Sequence, residues 1–166
     1  NSPCSFTTYD NTESDYREKR NIVTFCARFA PNTKGIEILL PAISRVLAER
    51  NDLHFLILGD GPMKKDILSY IKACDLMTSV SIYYSRNPIV EMKKSKVFLS
   101  IQRFENYPSQ SLLEAMACSN AIIATNVGLT KKIIDKNVGL LINYDYKDLA
   151  DNIIEIFRDE NKGILL

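Results

Sequence analysis

The chain has 166 residues, 46% hydrophobic and 25% charged, with 21 basic against 20 acidic residues and a net charge of +1. That size and balance fit one globular domain able to bury a real core and exclude a disordered chain. They also leave no broad electrostatic footprint for nucleic acid or an anionic membrane, and no apolar run approaches the roughly 18–20 residues of a membrane span.

The first twenty residues, NSPCSFTTYDNTESDYREKR, are polar and read as a linker or tail, with no signal peptide. The sequence is therefore expected to be a piece of a longer protein, with its folded domain over 21–160. Cys4, Cys26, Cys74 and Cys118 are scattered without CxxC or metal-site spacing. Cys26 and Cys118 lie in apolar segments, which suits buried, reduced thiols and a cytoplasmic setting.

From there β-rich and helical runs alternate. Ile22–Ala27 is predicted as the first strand, followed by a helix over Gly35–Arg50 in which Ile36, Leu39, Leu40, Ile43 and Leu47 recur at helical spacing. Pro41 lacks an N–H, so this helix is expected to start late or to bend there. Strand Leu53–Leu58 precedes a helix over Pro62–Cys74, and strand Val80–Tyr84 a short helix over Pro88–Lys94. Strand Val97–Ile101 leads to a helix over Pro108–Cys118, whose LLEAMA run combines strong helix formers. Strands Ala121–Thr125 and Gly139–Ile142, with helices over Thr130–Asp135 and Tyr146–Phe157, complete the series. Continuously apolar strands alternating with amphipathic helices describe an α/β fold: a Rossmann-like, three-layer, doubly wound parallel sheet of about six strands.

Ligands of such sheets bind outside the carboxyl ends of the strands, which directs attention to four loops. In ARFAPNTKG, Arg28 follows the first strand and Lys34 stands at the entry to the first helix, a cation pair suited to a diphosphate, although two solvated surface cations would read the same. In GDGP, Gly59 and Gly61 permit a tight turn and a close backbone approach, for a ligand or simply for the turn. The absence of GxGxxG argues against a dinucleotide site. The third loop, Tyr84 to Asn87, contains Arg86. The fourth, in IQRFENYPSQSLLEAMAC, places Glu105 just beyond the strand, followed by Asn106, Tyr107 and a helix start at Ser109–Leu112 whose N–H groups suit a phosphate. Glu114 stands one to two turns into that helix, where a carboxylate can accept from vicinal ribose hydroxyls; it also reads as a helix-favouring surface residue in a Ser111-x-x-Glu114 capping box. His54, the only histidine, reads as structural, and no cluster suggests a metal site.

Five pieces in order resemble one family. ARFAPNTKG and LILGDGP match its first two strand–loop motifs; ENYPSQSLLEAMAC resembles EGFPxxLLEAMACG; AIIATNVG resembles PVVATxVGG; and NVGLLINYDYKDLADNI resembles GxLVxPxDxxxLAxAI. Over Ile22–Phe157 the chain is thus similar to the donor-binding, C-terminal half of GT-B glycosyltransferases, family 4 or group 1. The resemblance implies a retaining transfer of a hexose-type sugar from a UDP-, GDP- or ADP-sugar, without metal or other cofactor, in the synthesis of cell-surface polysaccharide. Arg28 and Lys34 would hold the diphosphate and stabilise the departing nucleotide, Glu105 would contact the donor sugar, Glu114 the ribose, and Gly59, Arg86, Asn106, Tyr107, Ser109, Ser111 and Leu112 would complete the donor site. The acceptor would be held by an N-terminal domain outside this chain, so the piece alone would bind donor weakly and be inactive; the full-length enzyme would be cytoplasmic and peripheral at the inner membrane face. A GT-B nucleotide-sugar 2-epimerase half and a non-catalytic Rossmann-like module are the alternatives. Eight residues separate Glu105 from Glu114, one more than the family's usual spacing, Asn106 replaces its glycine, and Ser119, Leu129 and Lys132 also depart from its pattern.

Overall fold

A computed structural model describes residues 16–105, 109–135 and 138–159. A short 3-10 helix, Tyr16–Glu18, leads into six strands: β1 (Arg20–Cys26), β2 (His54–Leu58), β3 (Val80–Tyr83), β4 (Ser95–Ser100), β5 (Ala121–Thr125) and β6 (Gly139–Ile142). Between and after them lie α1 (Ile36–Glu49), α2 (Lys64–Ala73), α3 (Ile89–Lys94), α4 (Gln110–Ala117) and α5 (Tyr146–Arg158). The strands form one sheet in the order β3-β2-β1-β4-β5-β6, and every pairing is parallel. This is the doubly wound topology anticipated from the sequence.

Burial on both faces explains why the strands read as unbroken apolar runs. Alternate residues of one strand enter opposite cores: Val97 and Leu99 of β4 join Ile36, Leu39 and Ile43 of α1 and Leu149, Ile153 and Ile156 of α5, whereas Phe98 between them joins Met92 of α3 and Leu112 and Ala115 of α4. Each of the larger of these side chains, removed from water, contributes about 1.5–3 kcal/mol.

Most differences from the sequence reading concern element ends. Helix α1 begins at Ile36 despite Pro41, which lies in its interior; the missing N–H deprives the Glu37 carbonyl of its helical donor, but α1 keeps its place through its buried face. The helix expected over Thr130–Asp135 is a 3-10 turn, Thr130–Lys132. Pro62 precedes α2 by two residues, and Pro108 lies outside the described residues. Strand β1 starts at Arg20, in the segment read as a tail.

The sheet reverses direction between β1 and β4, since β2 and β3 extend on one side and β5 and β6 on the other. At such a switch point the loops leaving the two central strands diverge onto opposite faces and open a crevice at the carboxyl ends. The amino ends are closed. Lys19, buried just before β1, donates from Nζ to the carbonyls of Met92 at 3.3 Å, Ser95 at 3.1 Å and Cys118 at 2.6 Å. Asn120, just before β5, donates from Nδ2 to Met92 and Ser95.

Candidate functional site

A cleft of about 990 Å³ opens at the carboxyl ends of β1, β2 and β3, with α4 as its opposite wall. A smaller hollow of about 220 Å³ adjoins it at the ends of β1 and β4, and the two share Cys26, Ala27, Arg28, Ser109 and Ser111.

Arg28, just beyond β1, is exposed and lines both hollows. Lys34 lines the smaller one, half-buried just before α1, and burial lowers its pKa below the ordinary lysine value. Gly35, between Lys34 and the helix, has φ 65°, and a side chain there would collide with Ile101; Lys34 is thereby seated directly against the exit of β4. Among the described residues no carboxylate pairs with Arg28 or Lys34.

The GDGP glycines answer to the neighbouring loop. Gly59 and Gly61 both have φ 150°, and a Cβ on either would run into backbone, Ala27 for Gly59 and Phe29 for Gly61. Phe29 N donates to the Asp60 carbonyl at 2.9 Å and Met63 N to the Phe29 carbonyl at 3.2 Å, so the β1 and β2 loops are stitched into one unit. Gly59 lines the cleft as part of that unit. On the far side stand Tyr84, Ser85 and Arg86 from the loop after β3.

Helix α4 supplies the other wall. Its N-cap is Ser109, buried, with φ −78° and ψ 114°. Leu113 N donates to the Ser109 carbonyl at 3.2 Å, and the N–H groups of the first turn, on Gln110, Ser111 and Leu112, have no partner within the helix itself. Ser109 Oγ and Ser111 Oγ lie 3.3 Å apart at this open end. The Leu112 side chain enters the core instead of the cleft, leaving only its backbone to serve a ligand. Glu114 is no surface residue: it is 9% exposed and lines the cleft, accepting from Gln110 Nε2 at 2.9 Å. A Ser111–Glu114 capping box does not form, because the cap falls two residues earlier at Ser109. Burial, reinforced by the Glu114 charge, pushes the Cys26 thiol up to about 11.

The structure thus brings together Arg28, Gly59, Arg86, Ser109, Ser111 and Glu114, with Lys34 alongside. Asn106 and Tyr107 lie outside the described residues. Glu105 lines neither hollow; its Oε1 accepts from Leu129 N at 3.1 Å. His54 stands at the amino end of β2 with Nε2 2.9 Å from Ser81 Oγ, a contact between two strands. Cys26, Tyr84 and Gln110 line the cleft without having been singled out. The rule that ligands gather at carboxyl ends reaches the first two, and the partner of a buried Glu114 identifies the third. Among the described residues no group of His, Cys, Asp and Glu side chains is placed to hold a metal, and no helix is long and apolar enough to cross a membrane.

Known proteins are similar to this chain in sequence and fold. The family model for glycosyl transferases group 1 matches residues 20–159. An N-acetylgalactosamine-N,N'-diacetylbacillosaminyl-diphospho-undecaprenol 4-alpha-N-acetylgalactosaminyltransferase of Campylobacter jejuni is 32% identical over 132 residues, covering 78% of this chain and 35% of its own length. A crystal structure of S. aureus TarM holding UDP superposes with a TM-score of 0.77 at 25% identity, over 88% of this chain and 30% of that one. The C-terminal domain of LpcC from Francisella tularensis superposes with a TM-score of 0.77 at 20% identity, over 86% and 78% of the two chains. The chain spans about a third of the length of the curated relatives it matches.

Proposed function

From the premise that this chain belongs to the group 1 glycosyl transferases, we propose that it is the donor-binding domain of a retaining enzyme that moves a hexose-type sugar from a nucleoside-diphosphate donor, in the synthesis of a cell-surface polysaccharide. One observation carries this reading: exposed Arg28, the first turn of α4 and buried Glu114 all line one cleft at the switch point of the sheet. An anion needs the first two, and a polyhydroxyl ring needs the third. TarM, whose structure holds UDP, shares this fold at 25% identity and supports the choice of ligand.

In this reading the diphosphate lies between Arg28, Lys34 and the N–H groups of Ser111 and Leu112. The ribose reaches Glu114, and the base extends toward Gly59 and Arg86. When the sugar–phosphate bond breaks, negative charge grows on the departing diphosphate. Fixed cations and helix N–H groups there stabilise that charge without reorganising, often the largest contribution to such a reaction. Since side chains supply this charge, no metal is required, and EDTA is expected to leave nucleotide binding unchanged. The acceptor is held by a further domain of the full-length enzyme, working at the inner face of the membrane. Calorimetric titration of the domain with UDP tests the reading. Arg28→Ala and Lys34→Ala are each expected to weaken binding by about tenfold or more, since bonds to charged groups contribute roughly 1.5–3 kcal/mol. Affinity unchanged in both variants would overturn it.

A further inference from the structure

Glu114 is buried at the edge of the cleft, yet among the described residues no cation pairs with it. A capping box from Ser111, which would tie its carboxylate to the backbone, does not form, because the cap of α4 is Ser109. Cys26, on the same cleft, offers only a weak S–H donor. The side-chain hydrogen bond of Glu114 comes from Gln110, whose Nε2 donates to Oε1 at 2.9 Å.

Gln110 is the first residue of α4 and is exposed. Four positions before Glu114, it lies over that residue on the same face of the helix. On a solvated face such a pair would do no more than steady the helix. Here the acceptor is buried, and both residues line the cleft. A free glutamate side chain carries large rotamer entropy, and a ligand that must freeze it binds less tightly. An amide donor removes that cost without cancelling the negative charge with which the carboxylate accepts, as an arginine or lysine in its place would do.

We infer that Gln110 is a positioning residue for recognition of the nucleotide ribose: its Nε2 holds Oε1 of Glu114 and leaves Oε2 to accept from the ribose diol. Gln110 sets the carboxylate before the ligand arrives and does not itself touch the ligand. The inference rests on the donor-binding reading of the cleft.

The test uses the ¹⁵N-labelled chain with pyrophosphate, UDP and 2′-deoxy-UDP as probes. In the free chain, Glu114→Ala is expected to shift the side-chain amide signals of Gln110; unshifted signals would overturn the inference before any ligand is added. Gln110→Met keeps the length of the side chain and loses the donor. It is expected to weaken UDP by about two- to tenfold, the scale of one net hydrogen bond, to narrow the preference for UDP over 2′-deoxy-UDP, and to leave pyrophosphate affinity unchanged. Gln110→Glu, which puts a second carboxylate where the donor stood, is expected to weaken UDP at least as much. In a Glu114→Ala background, Gln110→Met is expected to change UDP affinity by less than about twofold, the signature of a residue acting through its partner. Three results would each overturn the inference while wild type still binds UDP. One is an unchanged preference for UDP over 2′-deoxy-UDP. Another is an equal loss of pyrophosphate, which marks Gln110 as a purely structural start to the helix. The third is a full effect in the Glu114→Ala background, which marks it as a direct ligand contact. Failure of the wild-type chain to bind either UDP or pyrophosphate would strike the donor-binding reading itself, and this inference with it.

Discussion

The two ends of the six-stranded sheet solve opposite problems with similar residues. At the amino end a cation, Lys19, is buried against three carbonyls, and Asn120 shares two of them. At the carboxyl end Arg28 is exposed, α4 begins at the wall of a cleft, and Glu114 is buried beside it. Polar groups that find one another stabilise a fold, whereas groups held apart and aimed at a common space can recognise a ligand. A parallel sheet makes this division possible, because every strand starts at one end and every loop that follows a strand lies at the other.

The comparison breaks most readily at Lys19. Lys19→Ala removes a donor from each of three carbonyls, of which Met92 and Ser95 keep Asn120; the expected loss is about 2–3 kcal/mol in chemical denaturation. Burial pushes Lys19 down to about 8 from the ordinary lysine value. The unfolded chain therefore holds this proton more tightly than the folded one between that value and the ordinary one, and the Lys19 contribution to stability rises with pH across the window. Wild type is expected to gain on Lys19→Met between pH 8 and 10; a constant difference would show that burial does not govern this lysine.

The next largest effect belongs to the open end. Glu114→Gln keeps the shape of the side chain and removes its charge, so UDP affinity is expected to fall about tenfold in calorimetry while the midpoint of unfolding scarcely moves. A collapse in stability with affinity intact would make Glu114 a structural residue.

Two cysteines sharpen the contrast. Cys26 lies in the cleft and Cys118 at the closed end, fully buried. With its thiol raised to about 11, Cys26 is expected to alkylate more slowly at pH 7.5 than exposed Cys74, to speed up as pH approaches 11, and to be shielded by UDP. Cys118 should stay unreactive in the folded chain with or without nucleotide. The smallest effect is at Ser119, which adopts φ 55° after α4. Ser119→Gly is expected to stabilise the fold by about 1 kcal/mol, read as a small rise in Tm, without changing UDP affinity.

The open end was far more legible in the sequence than the closed one. Continuous apolar runs such as VFLS and AIIAT identify central parallel strands, and the carboxyl-end rule then selects Arg28, Ser109 and Glu114 without knowledge of packing. Lys19 was not legible, since nothing in DYREKR tells a solvated lysine from one buried against three carbonyls contributed by residues 73 to 99 positions away. The purpose of GDGP was half legible: the need for glycine was clear, but only the approach of Ala27 and Phe29 shows that the neighbouring loop imposes it. The contact of Glu105 was not legible for the same reason, as Leu129 lies 24 residues downstream in another loop.

The most direct test of the central claim is a chemical-shift map of the ¹⁵N-labelled chain titrated with UDP. Signals of Arg28, Lys34, Ser111, Leu112 and Glu114 are expected to move together along one binding curve, while those of Lys19, Asn120 and His54 stay fixed. No movement at millimolar UDP, or movement centred on the Lys19 end, would contradict the assignment of the carboxyl-end cleft as a nucleotide site.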